Sequence, residues 1–174
     1  MKHLIILVGV PGTGKSTFAT ETLLKKYDNS CHIVSRDAIR FSLVSENEKY
    51  FSKEQEVYNT YIEEIKKSLN SNEYTIADAT HLNTQSRRKL FRSLGKEALE
   101  DIEITAYVIL NDLDTILNQN AKREGRAFVH PDIVKNMYTS LQIPSTSEGF
   151  DNVIIFKNGE FIRECKNLRR NENE

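Results

Sequence analysis

"HLIILVGVPGTGKST", His3 to Thr17, decides the fold. The run His3–Val8 is apolar almost throughout, the pattern of a strand buried on both faces at the centre of a parallel sheet. It stops at Gly9. Gly9-Val10-Pro11-Gly12-Thr13-Gly14-Lys15-Ser16 then matches G-x-x-x-x-G-K-[ST] in full. Such glycines let backbone N–H groups turn inward around phosphate oxygens. A helix expected from Lys15 to about Tyr27 adds its positive N-terminal end. Lys15 is then placed to reach the β- and γ-phosphates of ATP or GTP, and the Ser16 hydroxyl to meet Mg²⁺. Thr17 reads as support for the loop rather than a ligand.

Strand and helix patterns alternate outward from this point. "HIV" (His32–Val34) is a short second strand, running into a short helix "SRDAIRFSL" (Ser35–Leu43). Lys53–Leu69 repeats Val57, Tyr61 and Ile65 every four residues, a helical period. "YTIADA" (Tyr74–Ala79) is a third strand ending in a carboxylate. A basic helix follows from Thr84 to about Gly95, with Asn83 as N-cap and Gly95 as a stop. "IEITAYVIL" (Ile102–Leu110) is a fourth strand, with helices expected from Leu113 to about Arg123 and from Pro131 to about Leu141. "NVIIF", "KNG" and "EFIREC" form a terminal hairpin turning at Asn158-Gly159.

The alternation predicts an α/β P-loop fold of three layers. Its parallel sheet, ordered 2-3-1-4-5, is flanked by helices and covered by a helical lid. One domain is expected over residues 1–168, with the lid at about 118–132 and a polar tail, "RRNENE", at 169–174.

The 174 residues are 39% hydrophobic and 28% charged with a formal net charge of -1, so no global basic field draws in nucleic acid or membrane. Any anionic ligand must be held by local arginines and lysines. The two cysteines, Cys31 and Cys165, have no metal-ligand spacing and suit a reduced, cytoplasmic setting. The apolar start is too short for a membrane span. Oligomeric state leaves no mark on the sequence.

Sheets of this type bind ligands beyond the carboxyl ends of their strands. The polar residues after strands one, two and three should therefore converge. Asp37 and Arg40 sit three apart and share a helix face. The carboxylate can take a hydroxyl proton while the arginine holds an acceptor anion. The same pair also fits a helix-start aspartate bonded to a nearby arginine. Asp78 belongs near Mg²⁺ or Lys15, or caps a turn. Arg87 and Arg88 are candidates for acceptor phosphate, or part of a solvated basic face. His81 reads as polar packing. Tyr58 and Tyr61 read as core. In "NQNAKREGRAFVHPD" (Asn118–Asp132), Lys122, Arg123 and Arg126 surround a glycine break. A lid bearing arginines there excludes water and steadies charge on the transferring phosphoryl group.

"GVPGTGKST", "SRDAIRFSL", "ADATHLNTQSRR" and "NAKREGRAFVHPDIVKNMY" cover most of Lys2–Tyr138. In that order they resemble the P-loop kinase domain of the phage-type polynucleotide 5′-hydroxyl kinases. The resemblance implies transfer of the γ-phosphoryl group of ATP or GTP to the 5′-hydroxyl of a DNA or RNA end. It implies Asp37 as general base, Arg40 on an acceptor phosphate, Arg123 as the lid arginine on the donor phosphates, and Asp78 as the third-strand aspartate. The chain departs from the family at Gln119, where a second lid arginine is expected, and Arg126 can substitute across a small loop insertion. Two other readings stay open. One is a kinase acting on a small metabolite, a sugar nucleotide or a modified nucleobase. The other is an NTP-binding switch, which has no need of an acceptor base.

Overall fold

The computed structural model describes residues 1–167, so the polar tail expected at 169–174 lies outside the described residues. The central strand β1 (Lys2–Val8) sends alternate side chains to opposite faces. Leu4, Ile6 and Val8 enter one apolar cluster, Ile5 and Leu7 another. The helix after the glycine loop starts as α1 (Lys15–Phe18), passes through a π segment (Ala19–Leu24) and ends as α2 (Lys25–Tyr27). It packs Ala19 and Leu23 against the Ile5 face.

On the other face lie α4 (Glu54–Ser71) and α5 (Thr84–Leu94), contributing Tyr61, Ile65, Leu69, Leu90 and Leu94. The expected caps of α5 are present: Asn83 Oδ1 accepts from Ser86 N at 2.8 Å, and Gly95 turns the chain at φ 83°. Tyr61 is core as expected, and Tyr58 packs at its margin.

β2 (Cys31–Ser35), β3 (Tyr74–Asp78), β4 (Ile102–Leu110), β5 (Asn152–Lys157) and β6 (Glu160–Lys166) complete one sheet ordered β2-β3-β1-β4-β5-β6. The first five strands run parallel in the expected order, and β6 pairs antiparallel with β5. Asn158 (φ 51°) and Gly159 (φ 80°) make the hairpin turn. The primed turn needs two positive φ values, which asparagine and glycine tolerate. Pairing of Ser35 with Asp78 brings the ends of β2 and β3 level, and Gly9 N donates to Thr80 O at 3.1 Å. The register thus gathers the segments after β1, β2 and β3 at one sheet edge.

Candidate active site

The glycine loop wraps the mouth of β1. Gly12 and Gly14 both hold φ 89°, and a Cβ on Gly12 would stand 2.8 Å from the Ile116 carbonyl oxygen. Only glycine fits a left-handed position in backbone contact. At Gly14 the same Cβ would meet open space, the room a phosphate needs. Lys15 is buried, and its Nζ donates to Val10 O at 3.1 Å. Thr13 Oγ1 donates to the same carbonyl at 3.0 Å. Burial pushes the Lys15 ammonium down to about 8, against the attraction of Asp78 and Asp37. A polyphosphate against Nζ would favour its charged form.

Ser16 Oγ donates to Asp78 Oδ2 at 2.8 Å. Burial raises the Asp78 carboxyl, while Lys15 and the Ser16 hydroxyl pull it back down. A hydroxyl and a carboxylate side by side are a hard-oxygen pair of the sort Mg²⁺ takes, with phosphate oxygens and water filling its other positions. Among the described residues no cluster of three His, Cys, Asp or Glu side chains could hold a metal alone.

Helix α3 (Arg36–Leu43) begins directly after β2, capped by Ser35, whose Oγ accepts from Ala38 N at 3.3 Å. Asp37 is largely exposed at its start and accepts from Arg40 Nη1 at 2.5 Å. Arg40 is buried, and Glu54 grips its other edge: Nε to Oε1 at 2.6 Å and Nη2 to Oε2 at 3.1 Å. Burial works against the Arg40 charge, but the Glu54 bonds outweigh it and hold the guanidinium above its ordinary pKa. The group also lies 4.9 Å from the Tyr50 ring and 5.4 Å from the Phe51 ring. Arg36 Nη2 donates to the same Glu54 at 3.1 Å.

The segment expected to cover the site runs from α6 (Leu113–Ala121) through a 3₁₀ turn (Gly125–Ala127) into α7 (Pro131–Ser140). Buried Asn120 clasps its two ends: Nδ2 donates to Val129 O at 2.6 Å and Oδ1 accepts from Val129 N at 3.1 Å. Arg126 Nη1 donates to Val44 O beyond α3, and its guanidinium sits 5.0 Å from the Phe41 ring. The segment therefore reaches across the mouth of the site.

Pro11, Gly12, Gly14, Lys15, Ser16, Thr17, Asp37, Arg40, Asp78, Arg123 and Arg126 line one cavity of about 910 Å³. Gly9, Val10 and Thr13 build the loop behind it; Val10 is buried against Ile116 and Val134. Thr13 and Gly14 also open on a second cavity of about 450 Å³, between Phe18, Phe156 and Asn158.

Arg87 and Arg88 are not brought to the site. Arg87 is fully buried, and its Nε and Nη2 bond Glu148 at 2.8 and 2.9 Å. Its Nη1 donates to His81 O and Gln142 O. With these donors engaged inside the fold, the acceptor role expected for Arg87 is replaced by a structural one. Arg88 lies on the exposed face of α5, outside the cavity lining. His81 is packed as expected. Its Nδ1 donates to Leu7 O at 2.6 Å, so Nε2 accepts from Tyr61 OH at 3.1 Å. Tyr50 and Phe51, aromatic residues that invite a base-stacking reading the sequence alone does not carry, line the cavity; Arg36, Phe128 and Ile133 line it too without a mark in the sequence, and Glu54 stands behind Arg40. The one signal for Glu54 is its place at the start of a helix following Arg40.

A parallel sheet ordered β2-β3-β1-β4-β5, with a glycine loop and lysine after β1, defines the class of P-loop kinases and ATPases. The chain belongs to the AAA domain family, whose profile matches residues 4–144. It is 30% identical over 152 residues to L-seryl-tRNA(Sec) kinase of Methanococcus maripaludis, covering 85% of this chain and 56% of that one. It is 25% identical over 150 residues to a candidate bifunctional polynucleotide kinase/RNA ligase of Autographa californica nuclear polyhedrosis virus, covering 79% and 20%. The chain thus spans little more than half of the first relative's length and a fifth of the second's. The solved structure of the Pnkp1/Rnl/Hen1 RNA repair complex shares the fold, at TM-score 0.61 and 24% identity over 86% of this chain and 46% of that one. No helix among the described residues is long and apolar enough to cross a membrane.

Proposed function

We propose that the chain is a single P-loop kinase domain that transfers the γ-phosphoryl group of ATP or GTP to the 5′-hydroxyl of a DNA or RNA end. The observation that carries this reading is the Asp37–Arg40 pair, 2.5 Å apart, in the same cavity as Lys15, Ser16 and Asp78. A switch has no use for an acceptor base beside its phosphate loop. The two relatives above are named for kinases of L-seryl-tRNA(Sec) and of polynucleotide, which supports a substrate that carries nucleic acid.

In this mechanism the loop N–H groups and Lys15 hold the donor phosphates. With the γ end of the triphosphate toward Asp37, the second cavity beside Thr13 and Gly14 is the space the nucleoside would take. Ser16 and Asp78 would hold Mg²⁺, which would supply charge neutralisation at the donor phosphates. Asp37 takes the proton of the acceptor hydroxyl as its oxygen bonds the γ-phosphorus and the bond to the β–γ bridging oxygen breaks, releasing the nucleoside diphosphate. Arg40 binds an acceptor phosphate, and Arg123 closes from the lid segment to meet charge on the moving group. For Arg126 to stand in for the second lid arginine, absent at Gln119, its guanidinium would have to leave Val44 O when donor binds.

One observation favours a small phosphorylated metabolite instead: Arg126 bridges to Val44, narrowing the mouth that a strand must enter. The two readings separate in one assay. The protein is incubated with γ-labelled ATP, Mg²⁺ and 5′-hydroxyl DNA or RNA oligonucleotides, and in parallel with a metabolite panel. Label on an oligonucleotide is expected; label on a metabolite alone overturns the reading. Asp37→Asn should lose transfer while keeping nucleotide binding, and retained transfer removes Asp37 as base.

A further inference from the structure

Beside the cavity, one aromatic ring is shared by two cations. Arg36 Cζ lies 5.4 Å from the Tyr58 ring centroid, and Lys89 Nζ lies 4.2 Å from it. Arg36 lines the cavity next to Asp37, whereas Tyr58 and Lys89 lie outside it. Tyr58 OH and Ser93 Oγ, 3.0 Å apart, fix the ring to α5. Arg36 carries a second oddity: its Nε is buried with no hydrogen-bond partner among the described residues. The buried Nε is out of an anion's reach, and Nη2 is held by Glu54 at 3.1 Å, but the side chain keeps 31% of its surface exposed at the cavity wall, and it is this exposed edge that an anion can meet.

From Lys89 the positive charge continues along α5. The helix sequence TQSRRKLFRSL has four basic residues and no acidic one. Arg87 is buried; Arg88, Lys89 and Arg92 are exposed. Arg88 and Arg92 are one turn apart with like charge, a spacing that costs an isolated helix stability. Among the described residues none of the three joins an ion pair, although ion pairs form elsewhere on the surface. On a chain of net charge -1, this local concentration of unpaired cations stands out.

We propose that Arg36, Tyr58 and the Lys89–Arg92 face of α5 form a track for the phosphates of a single-stranded nucleic acid, leading away from the acceptor end of the cavity. This rests on the polynucleotide reading above and deepens it. It makes the acceptor a strand several nucleotides long, not one nucleotide. Successive phosphates would meet Arg36, then Lys89, then Arg92 and Arg88. The contacts are to backbone charge, so the track is indifferent to base sequence.

The test uses binding as well as transfer. Fluorescence anisotropy with a labelled 12-nucleotide 5′-hydroxyl strand is measured across a salt series for the intact protein and two double variants. Lys89→Ala/Arg92→Ala should weaken binding about tenfold at low salt. It should also lower the slope of log K against log salt by roughly 1.4, two contacts at about 0.7 each. Lys25→Ala/Lys26→Ala removes the same charge from α2, on the opposite face of the sheet, and should change little. Equal weakening by both pairs would reduce the effect to bulk charge and overturn the track.

If the intact protein binds the strand with this pattern but transfers no label to it, the kinase reading fails while the track stands. If transfer occurs and the Lys89/Arg92 pair alters neither Kd nor slope, the track fails while the kinase reading stands. No strand binding by the intact protein sinks the track outright. So does binding to phosphatidylserine vesicles that the pair abolishes while strand binding is untouched.

Discussion

Lys15 offers a sharp test because its free and bound environments differ so much in charge. Folding buries the ammonium and lowers its pKa from the ordinary 10.5 to about 8. Donor phosphates would restore the charged form, so binding should take up a proton wherever Lys15 is partly neutral. At pH 7 about a tenth of a proton is expected, at pH 8 about half, and at pH 9 about nine-tenths. Affinity should be flat below pH 7 and fall toward tenfold per pH unit above about pH 9. The assay is calorimetry of a non-hydrolysable ATP analogue with Mg²⁺, run at each pH in two buffers of different ionisation enthalpy. Lys15→Met should abolish the buffer dependence. The ligand-free protein responds in the opposite sense: the folded pKa lies below the unfolded one, so Lys15 costs stability most fully below pH 8, and the cost fades as pH rises toward 10.5. Lys15→Met should therefore stabilise the ligand-free protein at pH 7, by at most about 3 kcal/mol at roughly 1.4 kcal/mol per unit. Identical binding heats in the two buffers at pH 8.5, with the analogue demonstrably bound, would refute the buried-lysine argument.

Other perturbations test the rest of the framework. Arg87→Ala strands Glu148 inside the fold and should cost about 3–5 kcal/mol in urea unfolding, whereas Arg87→Met/Glu148→Leu should recover most of it. A loss under about 1 kcal/mol, the worth of a surface pair, would contradict that burial. Gly12→Ala and Gly14→Ala share the φ penalty, but only the first drives a Cβ into the Ile116 carbonyl. Thermal melts should show Gly12→Ala the less stable, while Gly14→Ala keeps more stability and loses the nucleotide-induced shift. Burial holds His81 down at about 4 against an ordinary 6.5, so protonation favours the unfolded chain and stability should drain away as pH falls from 6.5 toward 4. His81→Asn, which tolerates the local φ of 42°, should flatten this window. Equal losses in both proteins would absolve His81.

The sheet was legible because its signals are local. Apolar runs mark parallel strands, and Asn158-Gly159 marks a turn that few other dipeptides make. The donor loop and the Asp37–Arg40 pair were legible for the same reason. The π segment Ala19–Leu24 left no sequence mark. Arg87 illustrates the limit best. Its sequence neighbours form a basic run, and its true partner, Glu148, is 61 residues away. Glu54 was missed similarly: only the packing of α3 on α4 brings it to Arg40 and Arg36.

Asn120 has a consequence for how this protein can diversify. Because one amide grips Val129 through both its N–H and its carbonyl, the intervening stretch starts and finishes at a single fixed point. Adding or deleting residues there leaves α6 and α7 in place and disturbs chiefly what the excursion itself touches, the Arg126 contacts with Val44 and Phe41. Doubling such a loop costs only about 0.6 kcal/mol in closure entropy. The spacing between Arg123 and Arg126 is thus among the cheapest lengths in the molecule to vary, and a natural place to retune reach without rebuilding the sheet.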